Sequence, residues 1–134
     1  MPICMLLSCT KGAGKSFLYF HLLEKHTNSV IGWCGYHTWF TQHRRAEIGY
    51  VLNDDSNKGK GYMKEALPAV LKYGFEKMDL HRIEALVAPG NIPSLKLLQH
   101  TGFTHEGLLR QHYMKNSLLE DSAIFSLLCH EYIK

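Results

Sequence analysis

Two short stretches of this sequence carry residues at spacings that could hold a phosphate. The first is "CTKGAGKSFL" (9–18), with Gly14, Lys15 and Ser16 forming the step that closes a phosphate-binding loop. Such a loop, Gly-x-x-x-x-Gly-Lys-Ser/Thr, needs a glycine at its head. It also runs from a strand into a helix whose first amides face the phosphates. Here the head position is Cys9, and the "FLYFHLLE" that follows is aromatic-rich and reads as a strand. The expectation is a flexible N-terminal segment, with a P-loop nucleotide binder kept as a remote alternative.

The second stretch is "NKGKGYM" (57–63). Gly59 and Gly61 allow backbone to come close to a ligand. A strongly periodic helix follows, and the free amides and dipole at its start attract an anion. Lys58 and Lys60 add positive charge. The competing reading is a solvated loop whose glycines serve only the turn.

The elements that must position these residues follow from periodicity. Residues 17–25, 30–39 and 46–53 read as strands, the first two joined as a hairpin by "HTNS". Gly32 and Gly35 suggest a bulge or a close backbone neighbour. From Tyr62 to about Met78, the residues Met63, Ala66, Leu67, Val70, Leu71, Gly74 and Phe75 recur at helical spacing. Pro68 lies inside that run and is expected to bend it. "HRIEALVA" (81–88) reads as a buried strand. Residues 92–101 read as a second helix, with Asn91 as N-cap, Pro93 in the first turn and Gly102 at the stop. Residues 103–134 read as two strands around a "KNS" turn. The order β-β-β-loop-α-β-α-β-β is that of a mixed α/β (α+β) domain, and residues 1–134 are expected to form one such domain.

Bulk properties narrow the function classes. At 134 residues, 46% hydrophobic and 20% charged, the chain has an ordinary globular composition. A formal net charge of +3 is too mild to argue for nucleic acid, though it suits an anionic ligand. Cys4, Cys9, Cys34 and Cys129 make no CxxC clip, so reduced thiols in a cytoplasmic protein are expected. The histidines form no HExxH or Cys/His cluster, and no metal is expected. "ICMLLSC" (3–9) is too short to span a membrane and lacks the basic front of a signal peptide.

In order and spacing, "AEIGYVLN…NKGKGYMKEAL…HRIEALVAPGNIPSLKLLQHTGF…EGLLR" resembles the GNAT N-acetyltransferase superfamily. It is most similar to the RimJ/RimL branch of ribosomal-protein N-terminal acetyltransferases. The resemblance runs from about residue 17 to the C-terminus. It implies a central, mostly antiparallel, splayed sheet flanked by helices. It also implies acetyl-CoA as co-substrate, with direct acetyl transfer to an amine, either a protein N-terminus or a small molecule. The family's phosphate loop maps onto Lys58, Gly59, Lys60, Gly61, Tyr62 and Met63, with Lys58 and Met63 departing from its usual residues. The pantetheine arm is implied to pair with the strand at Tyr50, Val51 and Leu52, which would splay from strand 82–88.

Asn91 and Ser94 match the family's Asn-x-x-Ser. The resemblance places Asn91 near the reacting end of the coenzyme and makes Ser94 a proton donor to the departing thiolate. The tyrosine that many members use as the acid is replaced here by Leu98. Glu47 matches a family glutamate and is the first choice of general base, with His37 second. Trp33, Tyr36, Trp39 and Phe40 are read as packing before pocket, and Asp121 either borders the acceptor site or fixes the last hairpin. Relatives in the branch begin with a strand and one or two helices that residues 1–16 do not resemble. The expectation is an N-terminally truncated member, either completed as a homodimer or reduced to a catalytically impaired CoA-binding module.

Overall fold

The computed structural model describes residues 3–12, 15–53 and 58–132. Its strands are β1 (Ile3–Gly12), β2 (Lys15–Glu24), β3 (Val30–Phe40), β4 (Arg45–Leu52), β5 (Arg82–Val87), β6 (Thr104–Lys115) and β7 (Leu118–Leu128). They form one seven-stranded sheet in the order β1-β2-β3-β4-β5-β7-β6. Helix α1 (Tyr62–Glu76) follows β4, and α2 (Ile92–His100) follows β5. This is the mixed α/β architecture that the periodicities imply.

The apolar positions of α1 do what their spacing predicts. Met63, Ala66, Leu67, Val70, Leu71, Gly74 and Phe75 are all buried. The helix runs on through Pro68, whose ring nitrogen removes one backbone donor. β5 alternates, burying Ile83, Ala85 and Val87. The most intimate contact between α1 and the sheet is at Tyr36 of β3. Its ring is wholly buried, and its hydroxyl donates to the Val70 carbonyl at 2.8 Å. Gly74 makes room for it, since a Cβ there would lie 2.3 Å from Tyr36 Oη. The expectation of close backbone neighbours at Gly32 and Gly35 also holds. A Cβ would lie 2.1 Å from the Val51 carbonyl oxygen at Gly32, and 2.3 Å from that of Leu18 at Gly35.

The N-terminal segment departs from the expectation of flexibility. Ile3–Gly12 is a strand paired with β2 along its length, from Ile3 opposite Glu24 to Gly12 opposite Lys15. Ile3 enters the core at 6% exposure. The physical reason is that β2 would otherwise offer a row of unpaired amides and carbonyls, which β1 satisfies. Lys15 and Ser16 thus open a strand, so the helix that a phosphate loop requires does not follow them; Gly14 lies outside the described residues.

The feature that matters for function is the seam between β4 and β5. These two strands run parallel and pair only at Arg45–Arg82, Ala46–Ile83 and Glu47–Glu84. β4 continues to Leu52 and β5 to Val87 with no further pairing, so the sheet opens into a wedge. Across the paired end, Arg45 of β4 reaches Glu84 of β5 at 3.7 Å. On the β5 side of the seam, Arg82 bonds Glu84 at 3.2 Å and both Glu106 oxygens of β6 at 2.6 and 2.8 Å. Among the described residues no helix is long and apolar enough to cross a membrane. No group of three or more His, Cys, Asp or Glu among them could hold a metal ion.

Candidate active site

The wedge and the start of α1 make one cleft of about 520 Å³. β4 contributes Tyr50, Val51 and Leu52. The loop and the first turn of α1 contribute Lys58, Gly59, Gly61, Tyr62 and Met63. Gly59 and Gly61 have φ of 77° and 78°, in the left-handed region where a Cβ is strained, and space in front of both is open. Gly61 stands as N-cap of α1 without a side-chain cap, so the first amides of the helix keep their anion-binding capacity. Lys60 is exposed and does not border the cleft, unlike the other predicted loop residues.

α2 closes the other side with Asn91, Pro93, Ser94 and Leu97. Asn91 is the N-cap, and its Oδ1 accepts from the Ser94 amide at 3.3 Å. It therefore performs the capping role and borders the cleft as well. Leu98, at the position where the resemblance expects a tyrosine, is fully buried.

The Tyr50 hydroxyl is buried and has no hydrogen-bond partner of good geometry among the described residues. Burial pushes this phenol up from its ordinary value, and the Ser94 side chain beside it pulls the other way. A buried polar group left in this state is costly unless something completes it. The orphaned hydroxyl, the open glycine cradle and the edge of β4 that β5 leaves uncovered together fit a long ligand with a phosphorylated end and amide groups.

A second cavity of about 510 Å³ lies on the far side of the same three residues, Tyr50, Asn91 and Ser94. Its walls include Trp33 and His37 of β3, Ala85 to Ala88 at the end of β5, and His112, Tyr113 and Lys115 of β6. Sequence reasoning missed the part β6 takes, because the spacing of those residues shows nothing that singles them out. Trp33, read as packing, borders the cavity and also stacks on Tyr19 edge to face at 4.8 Å.

Glu47 and His37 are bonded to each other, His37 Nε2 to Glu47 Oε2. The pairing has a local cause. Tyr36 pairs with Ile48 and Thr38 with Glu47, so His37 is an extra residue in β3, a bulge that aims its ring at Glu47. A carboxylate only accepts, so Nε2 carries the proton and Nδ1 is the ring's acceptor. Nδ1 packs over Gly49, where a Cβ would come within 2.6 Å of it. Of the pair, His37 borders the cavity.

Comparison with known proteins agrees with this geometry. The Acetyltransferase (GNAT) domain matches residues 5–104. The uncharacterised N-acetyltransferase p20 of Bacillus licheniformis is 44% identical over 113 residues, covering 84% of this chain and 63% of p20. The putative ribosomal N-acetyltransferase YdaF of Bacillus subtilis is 31% identical over 107 residues, 80% of this chain and 58% of YdaF. Among solved structures, mutant forms of the spermidine/spermine N-acetyltransferase SpeG from Vibrio cholerae superpose with a TM-score of 0.80 at 25% identity, over 87% of this chain and 66% of that one. The chain thus spans less than two thirds of the length of each of these relatives.

Proposed function

Because the chain belongs to the Acetyltransferase (GNAT) family, we propose that it moves an acetyl group from acetyl-CoA to a primary amine by direct attack. The observation that carries this reading is the wedge between β4 and β5, where two cavities meet at Tyr50, Asn91 and Ser94. One cavity has a phosphate cradle at its outer end, and the other has a proton acceptor at its wall.

Acetyl-CoA supplies an acetyl group already activated as a thioester. Gly59, Gly61 and the first amides of α1 hold the phosphates, with Lys58 beside them. The edge of β4 at Tyr50, Val51 and Leu52 that faces away from β3 pairs with the pantetheine amides, and an N–H on that edge polarises the thioester carbonyl. His37 takes the proton of the attacking amine at Nδ1, directly or through water, and Glu47 fixes the tautomer and supports the imidazolium. Ser94, which borders both cavities, hands a proton to the departing sulfur, with the Tyr50 hydroxyl adjacent. Most of the acceleration comes from bringing the two reactants together across Tyr50. The ribosomal-type relative points to a protein N-terminus as acceptor and the SpeG relative to a small amine.

Titration calorimetry of the chain with acetyl-CoA, and with ATP–magnesium in parallel, tests the reading. Acetyl-CoA is expected to bind and ATP is not. Gly61→Glu should abolish acetyl-CoA binding by placing a strained, negative residue in the cradle. The left-handed φ itself costs only about 1–2 kcal/mol, so the fold should survive. Unchanged affinity in this variant would show that the cradle lies elsewhere, and binding without turnover of any amine would leave only a CoA-binding module.

A further inference from the structure

The β6 wall of the second cavity is built by an irregularity. Leu109 pairs with Ser122 and Tyr113 with Glu120, so β6 sets residues 110–112 against Asp121 alone. Gln111 takes φ 48°, and its amide donates to the Asp121 carboxylate at 2.7 Å. This pinned bulge turns His112 so that its Nδ1 meets Ser122 Oγ at 3.0 Å, and it sets Tyr113 and Lys115 along the cavity. Asp121, which the sequence left between two roles, holds the hairpin that shapes the wall.

Among the side chains that border the cavity, Lys115 is the permanent cation. Lys115 forms no ion pair among the described residues. His112 uses one ring nitrogen on Ser122, which leaves the other for the cavity. Three carboxylates lie nearby and keep their charge, but each stands outside the cavity lining and is bonded: Glu47 to His37, Glu120 to the Tyr113 hydroxyl at 3.2 Å, and Asp121 to the Gln111 amide. None of the residues that border the cavity is acidic. A polyamine would bring distant ammonium groups to Lys115, whereas an acceptor carboxylate would be paired there.

Resting on the acetyl-transfer reading, we propose that the preferred acceptor is an amine with a carboxylate close to the reacting nitrogen, as in an acidic peptide N-terminus or an acidic amino acid, and that His112 and Lys115 read that carboxylate. The test uses four probes: the amide of Asp-Ala-Ala, its Asn-Ala-Ala counterpart, free aspartate and spermidine. Binding is measured by calorimetry with CoA present, and turnover by thiol release from acetyl-CoA. The acidic peptide should bind about fivefold more tightly than the neutral one, the scale of one partly exposed ion pair, and Lys115→Gln should erase that ratio. Free aspartate matching the acidic peptide would assign the amino acid; a weaker response would assign the peptide. Asp121→Ala should raise KM for the acidic peptide at unchanged kcat for the neutral one, and Asp121→Asn, which keeps an acceptor oxygen for Gln111, should restore it.

Equal binding of the two peptides, no binding of either, or spermidine as the fastest substrate would overturn the proposal. A binding preference that depends on Lys115 but comes with no turnover would support it and sink acetyl transfer instead.

Discussion

A carboxylate that is already hydrogen-bonded is not a free base, and this decides how Glu47 is best understood. It holds His37, whose Nδ1 sits over a residue with no Cβ. In Glu47→Gln the amide oxygen can still accept from Nε2, so the ring should keep its place but lose the charge that stabilises it when protonated. Turnover should fall by about 10²-fold, the lower end of what a positioned proton acceptor supplies, with acetyl-CoA affinity unchanged by calorimetry. Equal turnover would remove the pair from the chemistry. Glu47 was singled out in the sequence through the family glutamate that it matches. The partnership with His37 was not, because it needs a bulge one residue long, and the glycines at 32 and 35 mark close backbone approaches rather than that bulge.

The helix and sheet meet through a contact with no slack. Gly74→Ala would drive a methyl against Tyr36 Oη, which is itself tied to the Val70 carbonyl. The expected loss is about 1–3 kcal/mol, measured by denaturant unfolding, as for other overpacked cores. The closed end of the seam gives a second expectation. Arg82 first, and Ser126 next, hold the Glu106 carboxyl at about 2, below its ordinary 4.5. A carboxylate depressed in the fold stabilises it fully above the ordinary value and loses that contribution as pH falls towards the depressed one. Thermal stability should therefore drop from about pH 4.5 down to about 2, and Glu106→Gln should flatten that limb; an unchanged limb would place the acid sensitivity elsewhere. At this scale both helices and strands β2 to β7 were readable; the apolar period of α1 and the alternation of β5 each match a buried face, whereas β6 buries none of its residues and was read from the turn that precedes β7. β1 was not: "ICMLLSC" shows no alternation, and its strand state comes from pairing with β2 rather than from its own pattern.

Across the whole sheet, β1 to β4 form one leaf and β5 to β7 another, joined at three paired positions of β4 and β5, where Arg45 reaches across to Glu84. The wedge is what this seam leaves open, and two cavities meet in it at Tyr50, Asn91 and Ser94. A resemblance in spacing could announce the splay, because loop and strand lengths set it. It could not announce the acceptor wall, which depends on a pinned bulge in a distant hairpin. The short seam also has a bearing on how long the chain survives in a cell. A ligand that bridges the leaves binds only the folded form, so at a hundredfold excess over its dissociation constant it adds about 2.7 kcal/mol to stability. Shifts of that order change steady-state abundance severalfold through proteolysis of the opened form. With coenzyme in the wedge, the amount of this protein would follow the supply of the metabolite it consumes.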